Sequence, residues 1–159
     1  MIDEERRRFV TGTGAVVVTA ACGCFLVSCK MITGVGDTPA VRHPAYSVEA
    51  NELVIFLDQI SELSTVGGSV KVEDPKLPGP LIIARTGQRE FVVASLKCTH
   101  YGRDLEYIAE ERGFRCVSLG HSEFGLDGAL KKGPAEKPLE TYEIRAGSVD
   151  ENKLTILLS

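Results

Sequence analysis

Two cysteines and two histidines in the second half of the chain have the residue types and the spacing of a metal site. They form two pairs, in each of which a histidine closely follows a cysteine: Cys98, His100, Cys116 and His121. A zinc ion would accept two thiolates and two imidazoles, but its usual motifs group cysteine with cysteine and histidine with histidine. Mixed pairs suit a two-iron cluster better, because one iron can take both cysteines and the other both histidines. The pattern C-x-H … C-x₄-H therefore favours an iron–sulfur cluster.

Four runs of residues around these pairs carry a family resemblance, namely 98–102, 114–116, 121–128 and 132–142. The first three resemble the cluster-binding loops of Rieske iron–sulfur proteins, and the last is similar to the proline loop and the following strand of that family. The likeness extends from about residue 48 to the C-terminus. It implies a [2Fe–2S] cluster in which Cys98 and Cys116 bind one iron and His100 and His121 bind the other.

The second loop departs from the family pattern. In the family a C-x₂-H motif is followed by Gly-Ser, whereas here two more residues separate Cys116 from His121, and Ser122 follows the histidine directly. Quinol-oxidising members also carry one extra cysteine in each loop, and these two form a disulfide. Arg103 stands in the place of the first, and no cysteine follows Cys116. We therefore expect no disulfide across the cluster.

Further residues are expected to surround the cluster. Gly102 is predicted to allow close approach of the backbone. Ser122, with Ser118 as the other candidate, is predicted to donate a hydrogen bond to a sulfur, while Phe124 replaces the tyrosine donor of high-potential members. Because fewer donors to the sulfurs stabilise the reduced cluster less, the reduction potential should be lower than in those members.

An apolar tip is expected beside the histidines. The resemblance implies that His100 and His121 each bind iron through one ring nitrogen and turn the other towards solvent, which makes them the route for electrons. Tyr101, Leu119 and Pro134 should form a small apolar surface next to them. Such a surface would bring a partner's cofactor close while excluding water.

The composition favours one all-β domain with an appendage. The 159 residues include 16 Gly and 7 Pro, most of which separate short β-branched runs. The net charge of −4 gives no indication of nucleic-acid binding. The resemblance implies a Rieske-type antiparallel β-sandwich with a cluster-binding subdomain. The pattern predicts strands or extended segments at 47–56, 67–72, 81–85, 90–94, 104–112 and 153–158, a short helical turn at 57–63 and a tight turn at 126–129.

The N-terminus has the features of an export signal. Residues 1–8 include Arg6, Arg7 and Arg8 followed by Phe9, which resembles a twin-arginine signal. Such a signal suits a protein that receives its cluster in the cytoplasm and must cross the membrane folded. The alternative is a plain basic segment that precedes a membrane anchor.

The uncharged run 9–29 is long enough to cross a hydrocarbon core of about 30 Å. The arginines before it should stay cytoplasmic, which places the rest of the chain on the periplasmic side of a bacterial cytoplasmic membrane. The run either remains as a transmembrane helix or is cleaved before Cys29, because 26–29 resembles a lipobox. Residues 30–46 are interpreted as a hinge or linker, in which His43 is a solvated side chain, and 47–159 as the Rieske domain.

Two electron-transfer hypotheses follow from the resemblance. The first is a membrane-anchored Rieske subunit of a bc-type complex, which passes electrons from quinol at a cytochrome b-type partner to a c-type cytochrome. The second is a peripheral carrier or small subunit of another exported oxidoreductase, of the arsenite-oxidase kind. The predicted anchor and hinge favour the first, and the missing disulfide favours the second.

A different class of protein remains open from the residues alone. The same cysteines and histidines could hold zinc in a structural module. In an oxidising compartment Cys98 and Cys116, which are the only cysteines after residue 29, could instead form a disulfide. Iron analysis separates both from the electron-transfer hypotheses.

Overall fold

Short antiparallel strands make up most of the described chain, which covers residues 37–158 of a computed structural model. The strands are β1 (Tyr46–Glu49), β2 (Glu52–Phe56), β3 (Ser69–Val72), β4 (Leu81–Arg85), β5 (Phe91–Ser95), β6 (Leu105–Ile108), β7 (Gly113–Cys116), β8 (Glu123–Gly125), β9 (Leu130–Lys132), β10 (Thr141–Tyr142) and β11 (Lys153–Leu157). Short 3₁₀ turns cover Leu57–Gln59, Ser61–Leu63 and Ser148–Glu151. The prediction of an all-β fold with antiparallel sheets is confirmed.

Three sheets divide these strands between two regions. One sheet has the order β1-β2-β11 and a second has the order β10-β5-β4-β3; together they form what we call the base. The third sheet, β6-β7-β8-β9, carries the cluster-type loops and is called the tip subdomain. No helix within residues 37–158 is long and apolar enough to cross a membrane. The predicted span at 9–29 lies outside the described residues.

The core of the base is aliphatic. Leu53 and Ile55 of β2 are completely buried and pack with Ile83 of β4 and Ile156 of β11. The other face of the second sheet is covered as well, because Ile82 packs into the core of the tip subdomain. A strand buried on both faces needs a continuous apolar run rather than an alternating one. This explains the sequence of β4.

The first predicted strand is wrong in one respect, since residues 47–56 form a hairpin rather than a single strand. The chain turns at Ala50, whose φ is 49°, and Val48 then lies opposite Leu53 in the register. Both side chains are buried in the base. They are five positions apart, so a straight strand would have placed them on opposite faces. The hairpin brings both into one core.

The last residues before β1 are held against the base. Ala40 forms a parallel bridge with Lys71, the N–H of Val41 donates to the Lys71 carbonyl at 2.8 Å, and the N–H of Lys71 donates to the Pro39 carbonyl at 2.8 Å. Ala45 is buried. These residues, which the sequence assigns to a linker, are therefore packed where the chain enters the sheet.

The tip subdomain leaves and rejoins the base at one place. Its chain starts after β5 and ends before β10, and these two strands pair, with Ala94 opposite Thr141. The N–H of Ser95 donates to the Glu140 carbonyl at 2.9 Å. The hairpin β4–β5 and the final strand β11 are found where the sequence predicts them, whereas only residues 105–108 of the extended segment predicted at 104–112 form a strand, β6, and residues 109–112 form a turn.

Candidate metal centre

The first loop is closed by backbone hydrogen bonds around Cys98. The N–H of Cys98 donates to the Arg103 carbonyl at 2.8 Å, and the N–H of Gly102 donates to the Cys98 carbonyl at 2.9 Å. Gly102 has a φ of 66°, and a Cβ at this position would meet no atom within 4 Å. Glycine is favoured here because the turn needs a left-handed backbone, which other residues adopt at a cost.

The two loops bring the two predicted cysteine ligands together. Both cysteines are buried and free of disulfides, and their sulfurs lie within hydrogen-bonding reach of each other. The backbone N–H of His100 and the hydroxyl of Ser122 both donate to the sulfur of Cys98. The sulfur of Cys116 is 3.2 Å from the Ser118 hydroxyl. Both serines that the sequence offers as donors are therefore placed beside a cysteine sulfur.

The surroundings of Cys98 act on its protonation in opposite directions. Burial raises the pKa of the Cys98 thiol, the N–H of His100 and the Ser122 hydroxyl lower this pKa, and the nearby Cys116 sulfur raises it. Burial is the largest of these effects. An uncompensated thiolate would be costly in this site, whereas a thiolate bound to a cation would be satisfied. The pocket is suited to a thiolate that binds a metal.

The second loop is closed at its base and contains a turn of its own. The N–H of Cys116 donates to the Ser122 carbonyl at 2.9 Å, which fixes the two ends. Within the loop the N–H of His121 donates to the Ser118 carbonyl at 3.1 Å. The additional residues of the C-x₄-H motif are taken up in this turn, so that Leu119 points fully into solvent.

His121 lies on the outside of this loop. Its φ is 40°, its ring is exposed, and its Nδ1 is 3.1 Å from the Cys116 carbonyl oxygen. His100 is half-buried, and its ring is tilted by 47° against that of Tyr101, with the ring centroids 3.6 Å apart. Within residues 37–158 no three side chains of the His, Cys, Asp and Glu types stand together as a metal site.

His43 is far from a ligand role in this arrangement. Its Nδ1 is 3.0 Å from the Tyr46 carbonyl oxygen, its Nε2 is 3.4 Å from a carboxylate oxygen of Asp74, and its ring stacks on the Tyr46 ring. These contacts belong to the base, at the entry of the chain into β1. The histidine that the sequence assigns to a linker is thus exposed but has partners.

The proline loop, which follows β9, connects both cluster-type loops. The N–H of Ala135 donates to the Ser122 hydroxyl at 2.9 Å, and Ser122 is completely buried. The hydroxyl of Thr99 donates to the Lys137 carbonyl at 2.8 Å. Pro134 lies over Gly120, where a Cβ would come within 3.0 Å of the proline ring. Sequence reasoning missed Thr99, although a hydroxyl between two predicted ligands was a usable signal.

An open groove of about 500 Å³ lies between the loops at the outer end of the subdomain. We call it the tip groove; it is lined by His100, Tyr101, Arg103, Ser118, Leu119, Gly120 and Pro134. The apolar surface that the sequence predicts from Tyr101, Leu119 and Pro134 therefore exists, and it adjoins one predicted histidine ligand. Arg103 and Ser118 both line the same groove.

The amino-acid sequence of the domain identifies its family. The family model of the Rieske [2Fe-2S] domain matches residues 53–143, which is more than half of the chain. The chain belongs to the Rieske [2Fe–2S] family. Rieske domains bind a [2Fe–2S] cluster with two cysteines and two histidines and transfer electrons through it. The assembled part of the site fits this group, because two buried thiols meet and N–H and O–H donors point at the sulfur of Cys98.

Two solved structures are similar to the chain. The ferredoxin of carbazole 1,9a-dioxygenase from Nocardioides aromaticivorans IC177 is 20% identical, with a TM-score of 0.53 over 67% of this chain and 95% of the ferredoxin, and it shows the fold. The cyanobacterial plasma membrane Rieske protein PetC3 from Synechocystis PCC 6803 is 26% identical over 55% of this chain and 84% of that protein, with a TM-score of 0.45. No curated protein matches the chain.

Proposed function

We propose that Cys98 and Cys116 bind one iron of the cluster and that His100 and His121 bind the other. The observation that carries this proposal is the meeting of two buried, free thiols from two loops that the proline loop joins. Ser122 and the backbone of His100 would then stabilise the thiolate of Cys98. The bound cluster supplies one-electron transfer, and the tip groove gives a partner access to its histidine side.

For the physiological role we propose a membrane-anchored subunit of a quinol:cytochrome c oxidoreductase of the bc type. The proposal is supported by the anchor expected at residues 9–29 and the linker that follows it. The partners would be a cytochrome b-type membrane subunit, a c-type cytochrome and quinol. The Rieske domain would work on the periplasmic side of the cytoplasmic membrane.

One observation favours a second candidate, a peripheral electron carrier or small subunit of another exported oxidoreductase. Among the described residues the only free cysteines are Cys98 and Cys116. Arg103, which lines the groove, stands where quinol-oxidising relatives carry the first cysteine of a loop disulfide, and no cysteine follows Cys116. A cluster without that disulfide suits a carrier of lower potential.

Low-temperature electron paramagnetic resonance of the reduced protein tests the ligand assignment and the electron-transfer function. A rhombic signal with a low average g value is expected from a cluster with mixed ligands. His121→Ala should abolish that signal, and His43→Ala, the matched control, should leave it unchanged because His43 contacts only the base. A signal that survives in His121→Ala would contradict the ligand assignment. Zinc without iron in the wild type would contradict electron transfer.

A potential titration of the same signal separates the two roles. A midpoint high enough to accept an electron from quinol supports the bc-type subunit. A midpoint below the quinol couple contradicts that role and supports the peripheral carrier.

A further inference from the structure

The tip groove exposes apolar side chains that nothing in the described structure covers. Tyr101 is 78% exposed and Leu119 fully exposed, the two highest values among the large hydrophobic residues described. Pro134 adds a third apolar side chain to the same groove. Neighbouring exposed apolar groups mark interaction sites in soluble domains. The groove therefore presents three neighbouring apolar side chains to solvent.

Arg103 is the one permanently charged residue among those that line this groove. Within residues 37–158 its guanidinium has no hydrogen bond or ion pair. The adjacent carboxylate does not neutralise it, because Asp104 already pairs with Lys97 and lies 3.9 Å from Lys71. The backbone of Arg103 is fixed, since its carbonyl accepts the Cys98 N–H at 2.8 Å. An unpaired cation thus stands at a defined position beside the predicted ligands.

We propose that the tip groove binds an acidic protein, the redox partner of this chain, and that Arg103 holds a carboxylate of that protein. The inference rests on the proposed function, because the partner is the protein that exchanges electrons with the cluster. A guanidinium binds a carboxylate through two parallel N–H donors, which fixes orientation as well as charge. Tyr101 and Leu119 would exclude water around this pair and so strengthen it.

A protein fits these features better than a small ligand does. A small molecule within the groove would leave the outward-facing rim, Tyr101 and Leu119, in water, whereas a protein surface would cover both. Tyrosine and arginine are also among the residues that contribute most often to the energetic centre of protein interfaces. The net charge of −4 does not attract an acidic partner over long distances, so recognition must depend on the local cation, Arg103.

The test measures binding to two probes of opposite charge, with the full chain in mild detergent. The first probe is a c-type cytochrome with carboxylates around its haem edge, and the second is one with lysines there. Both carry zinc in place of haem iron, so that binding is measured by calorimetry without electron transfer. The variants are Arg103→Gln and Arg103→Glu. The control is Lys153→Gln, which removes the same charge from an exposed position on β11 in the base.

Arg103→Gln should weaken binding of the acidic cytochrome by about tenfold or more, and Arg103→Glu should reverse the preference between the two probes. Lys153→Gln should change the affinity by less than about twofold. Equal effects of Arg103→Gln and Lys153→Gln, or no binding of the acidic probe to the wild type, would overturn the proposal. Paramagnetic resonance on the same samples reports the cluster separately. Absence of its signal rejects the ligand assignment, while the affinities still decide the role of Arg103.

Discussion

The base and the tip subdomain both have a buried core, but they differ in how their loops and strands are positioned. In the base, five-residue strands such as β2 and β11 bury whole aliphatic side chains, and the core is made mainly of Leu, Ile and Val. In the tip subdomain β8 and β9 have three residues each, and two cysteines belong to the core. Its loops are positioned by hydrogen bonds through Thr99 and Ser122. Burial stabilises the base, whereas directional bonds shape the site.

The largest expected effect tests the aliphatic core of the base. Ile55 is completely buried in the central strand β2, so Ile55→Ala should lower the free energy of unfolding by about 2–5 kcal/mol. Urea denaturation measures this change. The neighbouring Val54 is only half-buried, and Val54→Ala should cost clearly less. The paramagnetic signal of the folded Ile55→Ala protein should match that of the wild type. An altered signal would show that the two regions are not independent.

An effect of similar size is expected at Gly128, for which Gly147, a glycine that differs only in its surroundings, is the matched control. Gly128 and Gly147 both have a φ of 80°, but a Cβ on Gly128 would overlap the Leu139 carbonyl, whereas one on Gly147 would meet nothing within 4 Å. Gly147→Ala, in the base, should cost about 1–2 kcal/mol from the left-handed backbone alone. Gly128→Ala should cost about 1–3 kcal/mol more than Gly147→Ala, because the proline loop must move to make room for the Cβ.

The same pair reports on the shape of the site. The N–H of Leu139, in the proline loop, donates to the Gly128 carbonyl at 2.8 Å. Because Gly128→Ala displaces the proline loop at this contact, it should broaden or shift the paramagnetic signal. Gly147→Ala should leave the signal unchanged. Equal stability losses in the two variants would contradict the clash that the structure predicts at Gly128.

The smallest effect concerns acid stability at the entry to the base. The N–H of Lys76 lowers the pKa of the Asp74 carboxyl most, and hydrogen bonds with Tyr46 and His43 lower it further. Because this pKa is lower in the folded state than in the unfolded state, the carboxylate stabilises the fold above about pH 4 and this contribution is lost as the pH falls through the folded pKa. In the Asp74→Asn variant the free energy of unfolding should therefore depend less on pH below about pH 4.

Tyr46→Phe is the matched variant for this prediction. It removes one donor to Asp74, at 3.1 Å, and leaves the Lys76 N–H in place at 2.8 Å. Denaturation at several pH values should show a partial loss of this pH dependence. An unchanged pH dependence in both variants would mean that Asp74 does not contribute to acid stability.

Much of this arrangement could be predicted from sequence because its signals are local. Apolar runs and turn residues identified the β4–β5 hairpin and β11, and loop motifs identified Cys98 and Cys116. The hairpin at 47–56 was missed because its turn, at Ala50, contains neither Gly nor Pro. The hairpin forms because it allows Val48 and Leu53 to be buried in the same core. Its cause therefore lies in the tertiary core and not in local propensity.

The position of His121 could not be predicted for a similar reason. The spacing to Cys116 states how many residues the loop has, but not how they are folded. The turn closed by Ser118 and the contact of Nδ1 with the Cys116 carbonyl both form within the loop. The four-ligand set remains a prediction, while the structure buries both free thiols and places Cys116 close enough to Cys98 to raise the pKa of its thiol.

The side-by-side ends of the tip subdomain make it an exchangeable cassette. Because the N–H of Ser95 bonds to the Glu140 carbonyl and the strands on either side are antiparallel neighbours, a short turn could replace the residues between them and leave an ordinary hairpin in the base. The reverse operation is equally direct: the segment could be transplanted into another protein at any tight turn between two antiparallel strands. Redox chemistry could thus be moved between hosts if the covered face of the second sheet is adapted as well, because Ile82 of β4 packs into the core of the tip subdomain.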